Sequence, residues 1–478
     1  MKVSVVTLGC DKNTVDSERY LAELIDRGAE AASTAEDADV IVVNTCGFID
    51  AAKQESIDAI VQAGRLKHEG RARAVVAVGC MVERHKGELQ SALPEVDLFL
   101  GSSEMDRLVP ELVDRGLIDD APVPHPGIRL YSGDLPHVRY LKVSEGCDHG
   151  CAFCAIPLMR GRHRSFSLDD IVREAQLLEA QGAREVNLVA QDLAHYGRDL
   201  KRKAGIGRRD SSEDSIVGLL EALLRETSIP WFRMLYIYNA GITPRLLELV
   251  ASESRIMPYF DMPIQHGSDD VLKRMRRPER NRTIREKVAR IREIVPDVAI
   301  RTTCIVGFPG ETDADFRTLL ELLEEVQFDR VGAFTYSAQE GTAAHALADD
   351  VPESLKLERL ERLNELQRLI SADRFEQRVG RIVPAIVDRV DGADAEGRTI
   401  WQALEIDGVT RIGSGKRDAG SGNRMSLRAG DLVELRIDGV ADDIDLEATL
   451  MHVASALRLS APPKGGLRSL PIASAYGR

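Results

Sequence analysis

Residues Val143 to Arg164 read VSEGCDHGCAFCAIPLMRGRHR and hold Cys147, Cys151 and Cys154 in a C-x-x-x-C-x-x-C spacing. An apolar run from Tyr140 to Val143 leads in as a strand, and helical periodicity resumes near Leu168. Three thiols this close cannot form a disulfide framework, because one stays unpaired and near neighbours bond with strain. They can wrap one metal centre. On a cubane iron–sulfur cluster, three thiolates leave one iron without a protein ligand, whereas electron-transfer clusters normally take four. An open iron is a place for a substrate or cofactor to bind. Zinc, with His149 or His163 as the fourth ligand, is the competing reading of this spacing.

With Phe153 just before the last cysteine, the triad at a strand's end resembles the signature of the radical S-adenosylmethionine superfamily. The longer string GCDHGCAFCAIPLMRGRHRS is similar to that of the methylthiotransferases, which insert a sulfur and a methyl group at a C–H bond. The resemblance implies a transferase with a 4Fe–4S cluster on Cys147, Cys151 and Cys154. Its open iron would chelate the amino and carboxylate groups of S-adenosylmethionine, whose reductive cleavage yields a hydrogen-abstracting 5′-deoxyadenosyl radical. The family also implies an electron donor such as flavodoxin or ferredoxin.

Upstream, one arrangement repeats three times. Lys2 to Leu8 is an alternating β-branched strand ending at Gly9-Cys10. Val40 to Val43 reads as a buried parallel strand ending at Asn44-Thr45-Cys46, and Ala74 to Val78 ends at Gly79-Cys80. Helix patterns from Thr14 to Arg27 and from Ala51 to Leu66 lie between them. All strand C-termini of a parallel α/β sheet open on one edge, where ligands bind. A single cysteine there is ordinarily a small buried hydrophobe; three at equivalent strand ends converge. The strings TLGCDKNTVDSE, NTCGFIDAAKQES and VGCMVER resemble the methylthiotransferase N-terminal domain, which implies a second, auxiliary 4Fe–4S cluster on Cys10, Cys46 and Cys80.

Downstream, strands and helices alternate. Strands are expected at Glu185–Ala190, Trp231–Ile237, Tyr259–Ile264, Ala299–Val306 and Arg330–Phe334. The helices are Leu168–Gln181, Ile216–Arg225, Thr243–Ser252, Asn281–Ile294 and Asp313–Val326. That pattern is a β/α barrel with its chemistry on the loops after the strands, and the superfamily resemblance implies a partial, TIM-like barrel of about six units. Gln191-Asp192, the PIQHG run around Gln265 leading into DDVLKRMRRP, and the IVGFPGE run around Gly307 match methylthiotransferase motifs. Glycines there let the backbone approach a ligand. The resemblance implies that this ligand is S-adenosylmethionine, with Phe153, Gln191, Asp192, Gln265 and Gly307 as contacts. Cys304 lies mid-strand and reads as core. The segment Arg198 to Asp214 reads as a solvated loop.

Pro352 to Val379 is an amphipathic helix pattern, after which the period switches to two. Strands at Ile382–Val390, Thr399–Leu404, Leu432–Ile437 and Asp445–Val453 form a small antiparallel barrel. Its position and the string AEGRTIWQALEIDG resemble the TRAM domain that ends methylthiotransferases. The whole is thus α/β: 1–120 the N-terminal parallel sheet domain, 121–137 a proline-rich linker, 138–376 the radical barrel, 377–454 the TRAM domain and 455–478 a disordered tail.

Two branches of the family compete. One modifies an isopentenylated adenosine in tRNA, and the other modifies the β-carbon of an aspartate in small-subunit ribosomal protein twelve. Leu8-Gly9-Cys10-Asp11-Lys12-Asn13 departs from the YGCQMN usual in the tRNA branch and resembles the ribosomal-protein branch. Charge agrees. The chain carries −14 overall, and between Pro384 and Leu450 fourteen acidic residues oppose eight basic ones, a net −6. A module that tracks phosphates should carry the opposite sign, whereas docking on a basic ribosomal protein fits. That module is expected to be separable, so that a chain cut at Gly380 still cleaves the cofactor. A non-catalytic iron–sulfur RNA-binding protein is the reading of another class, disfavoured by this acidity. With no apolar run near the roughly 18 residues a span requires and seven cysteines free of a disulfide pattern, a cytoplasmic monomer without a membrane segment is expected.

Overall fold

The computed structural model describes residues 1–118, 129, 135–203, 215–392, 394–413, 427–442 and 444–453. The expected tail, most of the proline-rich linker and residues 204–214 lie outside them. Among the described residues, no helix is long and apolar enough to cross a membrane.

The first unit is a five-stranded sheet of β1 (Lys2–Thr7), β2 (Glu30–Ala31), β3 (Val40–Thr45), β4 (Ala74–Gly79) and β5 (Leu98–Gly101). The order is β2-β1-β3-β4-β5 and every pair is parallel. Successive side chains leave opposite faces of a strand. Val40, Val42, Val76 and Val78 enter one core, while Ile41, Val43, Val75 and Ala77 enter the other. Both faces are covered, which is why these strands are apolar throughout.

The second unit begins at β6 (Val138–Lys142). A two-residue ladder of β7 (Ser144–Glu145) with β8 (Arg164–Ser165) then clamps the neck of the cysteine loop. Five further strands follow: β9 (Glu185–Val189), β10 (Trp231–Met234), β11 (Ile256–Asp261), β12 (Ala299–Val306) and β13 (Arg330–Thr335). They give a six-stranded, all-parallel sheet in the order β6-β9-β10-β11-β12-β13, with no pairing of β6 to β13, the expected partial barrel. Helices Asn281–Ile294 and Asp313–Val326 stand where expected. β11 starts three residues before its predicted position. Pro258 supplies no N–H, and a register irregularity between β10 and β11 accommodates it. The Arg198–Asp214 reading needs correction at its start. Arg198–Lys203 is helical, and the Asp199 carboxylate accepts the Ser165 backbone N–H at 3.2 Å.

A helix, Glu353–Glu376, leads to the third unit, made of β14 (Ile382–Asp391), β15 (Asp394–Thr399), β16 (Thr410–Gly413), β17 (Leu432–Ala441) and β18 (Asp445–Val453). They close a barrel in the order β14-β15-β16-β18-β17. It is antiparallel except at β16–β18, which is parallel. Five strands cannot close a ring with every neighbour pair antiparallel, because the alternation fails once around. The predicted strand Thr399–Leu404 ends at Thr399. Gln402 Oε1 gathers the Thr399 N–H and the hydroxyls of Thr399 and Thr410, turning the chain.

This barrel is no separable appendage. It seats against the N-terminal ends of the second unit's strands. There Arg398 lies 2.6 Å from Glu185 and 2.7 Å from Asp388, and Asp388 lies 2.9 Å from His137. Tyr259 donates to Asp407 at 2.6 Å, and Trp401 Nε1 donates to the Asp297 carbonyl at 2.8 Å. Trp231, Tyr259, Ala299, Phe375, Trp401 and Leu435 belong to one continuous core. Cutting at Gly380 would strip that core open and take Arg398 away from Glu185.

Candidate active site

Cys10, Cys46 and Cys80 stand at the ends of β1, β3 and β4, on one sheet edge. Gly9 (φ +91°) turns the chain into Cys10, and a Cβ there would meet Cys46 Cβ at 2.8 Å. Gly79 (φ +100°) does the same before Cys80, where a Cβ would fall 2.5 Å from Asn44 Oδ1. Side chains then tie the three loops together. Asn13 Nδ2 donates to the carbonyls of Leu8 (2.7 Å) and Thr45 (3.2 Å), and Asn44 Nδ2 donates to the Asn13 carbonyl (3.0 Å). Ser56 Oγ both accepts from Cys46 N and donates to Cys46 O at 3.0 Å.

Burial foremost, with the neighbouring Cys10 and Cys80 adding, pushes the Cys46 thiol up to about 12. Burial likewise pushes Cys80 up to about 11, with Cys10 raising it and Arg160 opposing. Two buried thiols that resist ionisation thus stand beside Cys10 on one sheet edge, a set suited to losing its protons to a cationic centre.

The second trio sits on the clamped loop after β6. Cys147 N donates to Gly161 O (3.1 Å), Ala152 N to Met275 O (2.9 Å) and Ala344 N to Ala152 O (2.7 Å), so both sides of the loop are pinned. Burial foremost, with Cys151 adding, raises Cys147 to about 11 and Cys154 to about 12. Arg277 points a guanidinium N–H at Cys151 Sγ (3.7 Å), donates to Pro263 O (2.8 Å) and stacks 4.1 Å over Tyr238. The two imidazoles weighed as a fourth zinc ligand are engaged elsewhere: His149 Nε2 with Asp192 (2.8 Å) and His163 Nε2 with Ser165 (3.1 Å). Thiols faced by guanidinium and backbone N–H groups suit an anionic iron–sulfur centre.

Side chains bridge the gap between the two trios. Cys80 packs against Ala155, Ile156 and Met159, the residues that follow Cys154. Arg160 crosses between the units, donating from Nε to Cys80 Sγ (3.1 Å), from one terminal nitrogen to Asp16 (2.7 Å) and from the other to Asn13 Oδ1. Lys142 pairs with Asp16 and Glu145. Burial works against the Asp16 carboxylate, but Lys142 and Arg160 outweigh it and hold it well below the usual range. On the other wall, Tyr236 lies in the field of Cys10 with Lys12 over its ring, while Tyr238 stacks on His149 at 4.0 Å. One short segment therefore lies near both sites. Arg84 closes the rim, donating to Gly47 O (3.0 Å) and to Gln339 (3.1 Å).

The expected cofactor contacts divide. Gln191 donates to Glu145 (3.1 Å) beside this gap. Asp192 accepts from His149, Ala194 N and Tyr238 N, so it orients the loop wall. Phe153 packs in a small cluster with Phe308 and Tyr336, which brings the Gly307 loop to the cysteine loop. Gly307 (φ +72°) donates to Glu311 (2.7 Å), and its open side is filled by the Lys356 stem. Gln265 (φ +73°) extends the sheet by bridging to Cys304, which is fully buried as expected. Sequence reading missed Asn13, Asn44, Arg160 and Arg277. All four lie inside the motif strings, but spacing alone does not say which arginine reaches a sulfur.

Comparison with known proteins agrees region by region. The uncharacterized protein family UPF0004 matches residues 2–101, the radical SAM superfamily residues 141–323 and the TRAM domain residues 379–451. A TsrM structure from Kitasatospora setae, a radical S-adenosylmethionine methyltransferase with tryptophan and aza-SAM bound, shares the fold. Its TM-score is 0.52 at 13% identity, covering 82% of this chain and 79% of that one. Proteins named ribosomal protein uS12 methylthiotransferase RimO match along nearly their whole length. That of Anaeromyxobacter sp. (strain K) is 41% identical, covering 98% of this chain and 99% of its own. That of Geobacter sulfurreducens is 40% identical, covering 92% and 97%, and that of Aquifex aeolicus is 39% identical, covering 92% and 96%. The chain belongs to the RimO family of ribosomal protein uS12 methylthiotransferases.

Proposed function

We propose that the chain replaces a hydrogen on the β-carbon of an aspartate of ribosomal protein uS12 with a methylthio group. The observation that carries this reading is the juxtaposition of two cysteine trios from different units, with the segment after Cys154 packed on Cys80 and Arg160 reaching its sulfur. Cys147, Cys151 and Cys154 would hold one 4Fe–4S cluster and Cys10, Cys46 and Cys80 the other. Phe153, Gln191, Asp192, Gln265 and Gly307 would shape the S-adenosylmethionine site. When bound, the barrel cluster with S-adenosylmethionine supplies the one-electron chemistry that activates a C–H bond, and the second cluster supplies sulfur.

The protein's own residues set the stage. Arg160 ties Cys80 to Asp16 and Glu145, fixing the two units in register. Arg277 and Tyr238 wall the barrel trio. Residues 1–120 carry the auxiliary centre, 121–137 link, 138–376 form the barrel, 377–454 the TRAM domain, and 455–478 follow as a tail. The enzyme works as a cytoplasmic monomer supplied with electrons by a flavodoxin or ferredoxin.

The test is anaerobic turnover of reconstituted enzyme with dithionite and S-adenosylmethionine, offered uS12 and, separately, tRNA carrying isopentenylated adenosine. Mass spectrometry should find a methylthio group on one aspartate of uS12 and none on the tRNA. The opposite pattern would overturn the reading.

A further inference from the structure

Three lysines are buried among the described residues: Lys12, Lys142 and Lys356. Lys142 pairs with Asp16 and Glu145, and Lys356 lies 2.7 Å from Asp349. Lys12 differs. It is 7% exposed, and among the described residues its Nζ makes no hydrogen bond or ion pair, resting instead 3.4 Å from the centre of the Tyr236 ring. Its field reaches the Asp11 carboxyl, but the two do not pair. The other cation on that side, Arg301, is committed to Asp261 at 2.9 Å. A ring face replaces only part of the hydration that an ammonium loses on burial. A largely buried lysine whose ammonium has three donors, one aromatic contact and no paired protein anion among the described residues is poised for an anion that arrives with a ligand.

Its position says which ligand. Lys12 follows Cys10 by two residues, in the first turn of the helix Asp11–Asp26, whose N-terminus also favours negative charge. Tyr236 beneath it lies in the field of Cys10, and Tyr238, two residues on, lies against His149 and Arg277 beside the barrel trio. The ammonium therefore rests on the segment that runs from the first trio to the second, between which a substrate reached from both would sit.

We propose that Lys12 receives the side-chain carboxylate of the substrate residue in this gap, and so selects an acidic side chain and fixes its β-carbon. The proposal rests on the reading above that this residue is an aspartate. The carboxylate is what distinguishes that β-carbon from other methylenes of a polypeptide, and it is one bond away. Anchoring it leaves the carbon little freedom.

The test is equilibrium binding of fluorescein-labelled peptides spanning the uS12 target loop to the reconstituted holoenzyme. S-adenosylmethionine is withheld, so nothing turns over. One peptide carries the aspartate and the other asparagine in its place. The wild type should prefer the aspartate peptide by about ten- to hundredfold, the worth of one charge-assisted hydrogen bond. Lys12→Met keeps the stem on Tyr236 and removes the charge; it should bind both peptides alike while retaining the wild-type iron content. Lys12→Gln is a second neutral variant with the same expectation, and Lys12→Arg should restore part of the preference. A neutral variant that holds its iron and still prefers aspartate by the wild-type ratio overturns the assignment. So does a wild type that modifies uS12 yet binds the two peptides equally. An enzyme that modifies tRNA and leaves uS12 untouched instead overturns the reading beneath it, and this proposal with it.

Discussion

Replacing Arg398 by methionine keeps much of the side-chain length and removes the charge at the join between the C-terminal barrel and the six-stranded one. Arg398 is 1% exposed and lies 2.6 Å from Glu185 and 2.7 Å from Asp388. Glu185 keeps Arg233 at 2.9 Å and Asp388 keeps His137 at 2.9 Å, so each carboxylate loses one of two partners. Breaking a buried pair costs about 3–5 kcal/mol, and the surviving partners place this case near the lower end. At about 2 °C per kcal/mol for a unit of this size, Tm should fall by about 6 °C near neutral pH. The dependence on pH separates lost charge from lost packing. In the native protein burial opposes ionisation of both carboxyls, but Arg398 foremost outweighs it and both titrate below the usual range. Such groups contribute stability above the unfolded pKa of about 4, and it is lost as pH falls through the folded value. In Arg398→Met burial is opposed by one partner only, so both carboxyls move up and their charged forms become the destabilising ones. Protonation relieves that cost. The gap in Tm between wild type and variant should therefore be widest above about pH 7 and narrow towards about pH 4. Thermal unfolding followed by circular dichroism across that range measures it. A gap that does not change with pH would refute the reasoning and assign the join to the arginine stem.

Two expectations concern the metal centres. Replacing Cys147, Cys151 and Cys154 together with alanine should leave about half the iron of anaerobically purified protein, since each trio holds its own cluster; finding zinc in place of iron would sink the assignment. Replacing Cys10, Cys46 and Cys80 together should preserve cleavage of S-adenosylmethionine to 5′-deoxyadenosine and abolish methylthio transfer. Undiminished transfer by that variant would show that the sulfur comes from elsewhere.

Periodicity and spacing made the architecture readable because they are local. The apolar runs Val40–Val43 and Ala74–Val78 have no polar alternation, which forces a sheet covered on both faces, and cysteines placed after them must share an edge. The helices Asn281–Ile294 and Asp313–Val326 were legible to the residue because Thr312 supplies a capping hydroxyl and Arg280-Asn281 breaks the preceding run. What failed was non-local. Thr399–Leu404 alternates as a strand should, yet Trp401 is drawn out of the ladder to donate to the Asp297 carbonyl of another unit. Arg160 looks like any arginine in a basic run until Cys80, eighty residues away in the chain, is seen beside its Nε. Pairings that cross between domains leave no period in the sequence.

Counting charge along the C-terminal stretch has the same weakness. Asp388 and Asp407 are buried and bound to Arg398, His137 and Tyr259, so they are part of the join and not of any surface. Asp445 pairs with Arg411 and caps Val409 N, and Asp438 pairs with Arg436. Among the described residues seven exposed acidic side chains, Asp391, Asp394, Glu405, Glu434, Asp438, Asp442 and Glu447, stand against four exposed arginines, Arg389, Arg411, Arg428 and Arg436. An acidic excess survives, smaller than the count. Its place matters more than its size. His137, Glu185, Asp297 and Arg330 contact this barrel at the starts of the strands, whereas Cys147, Gln191, Tyr236 and Gly307 lie beyond their ends. A strand of six residues spans about 20 Å. An acidic face at that remove can speed the encounter with a basic protein and set its approach, an effect that salt screens. It cannot choose which side chain reacts. That choice has to be made near the cysteine trios, where the one buried lysine without a carboxylate partner among the described residues is Lys12.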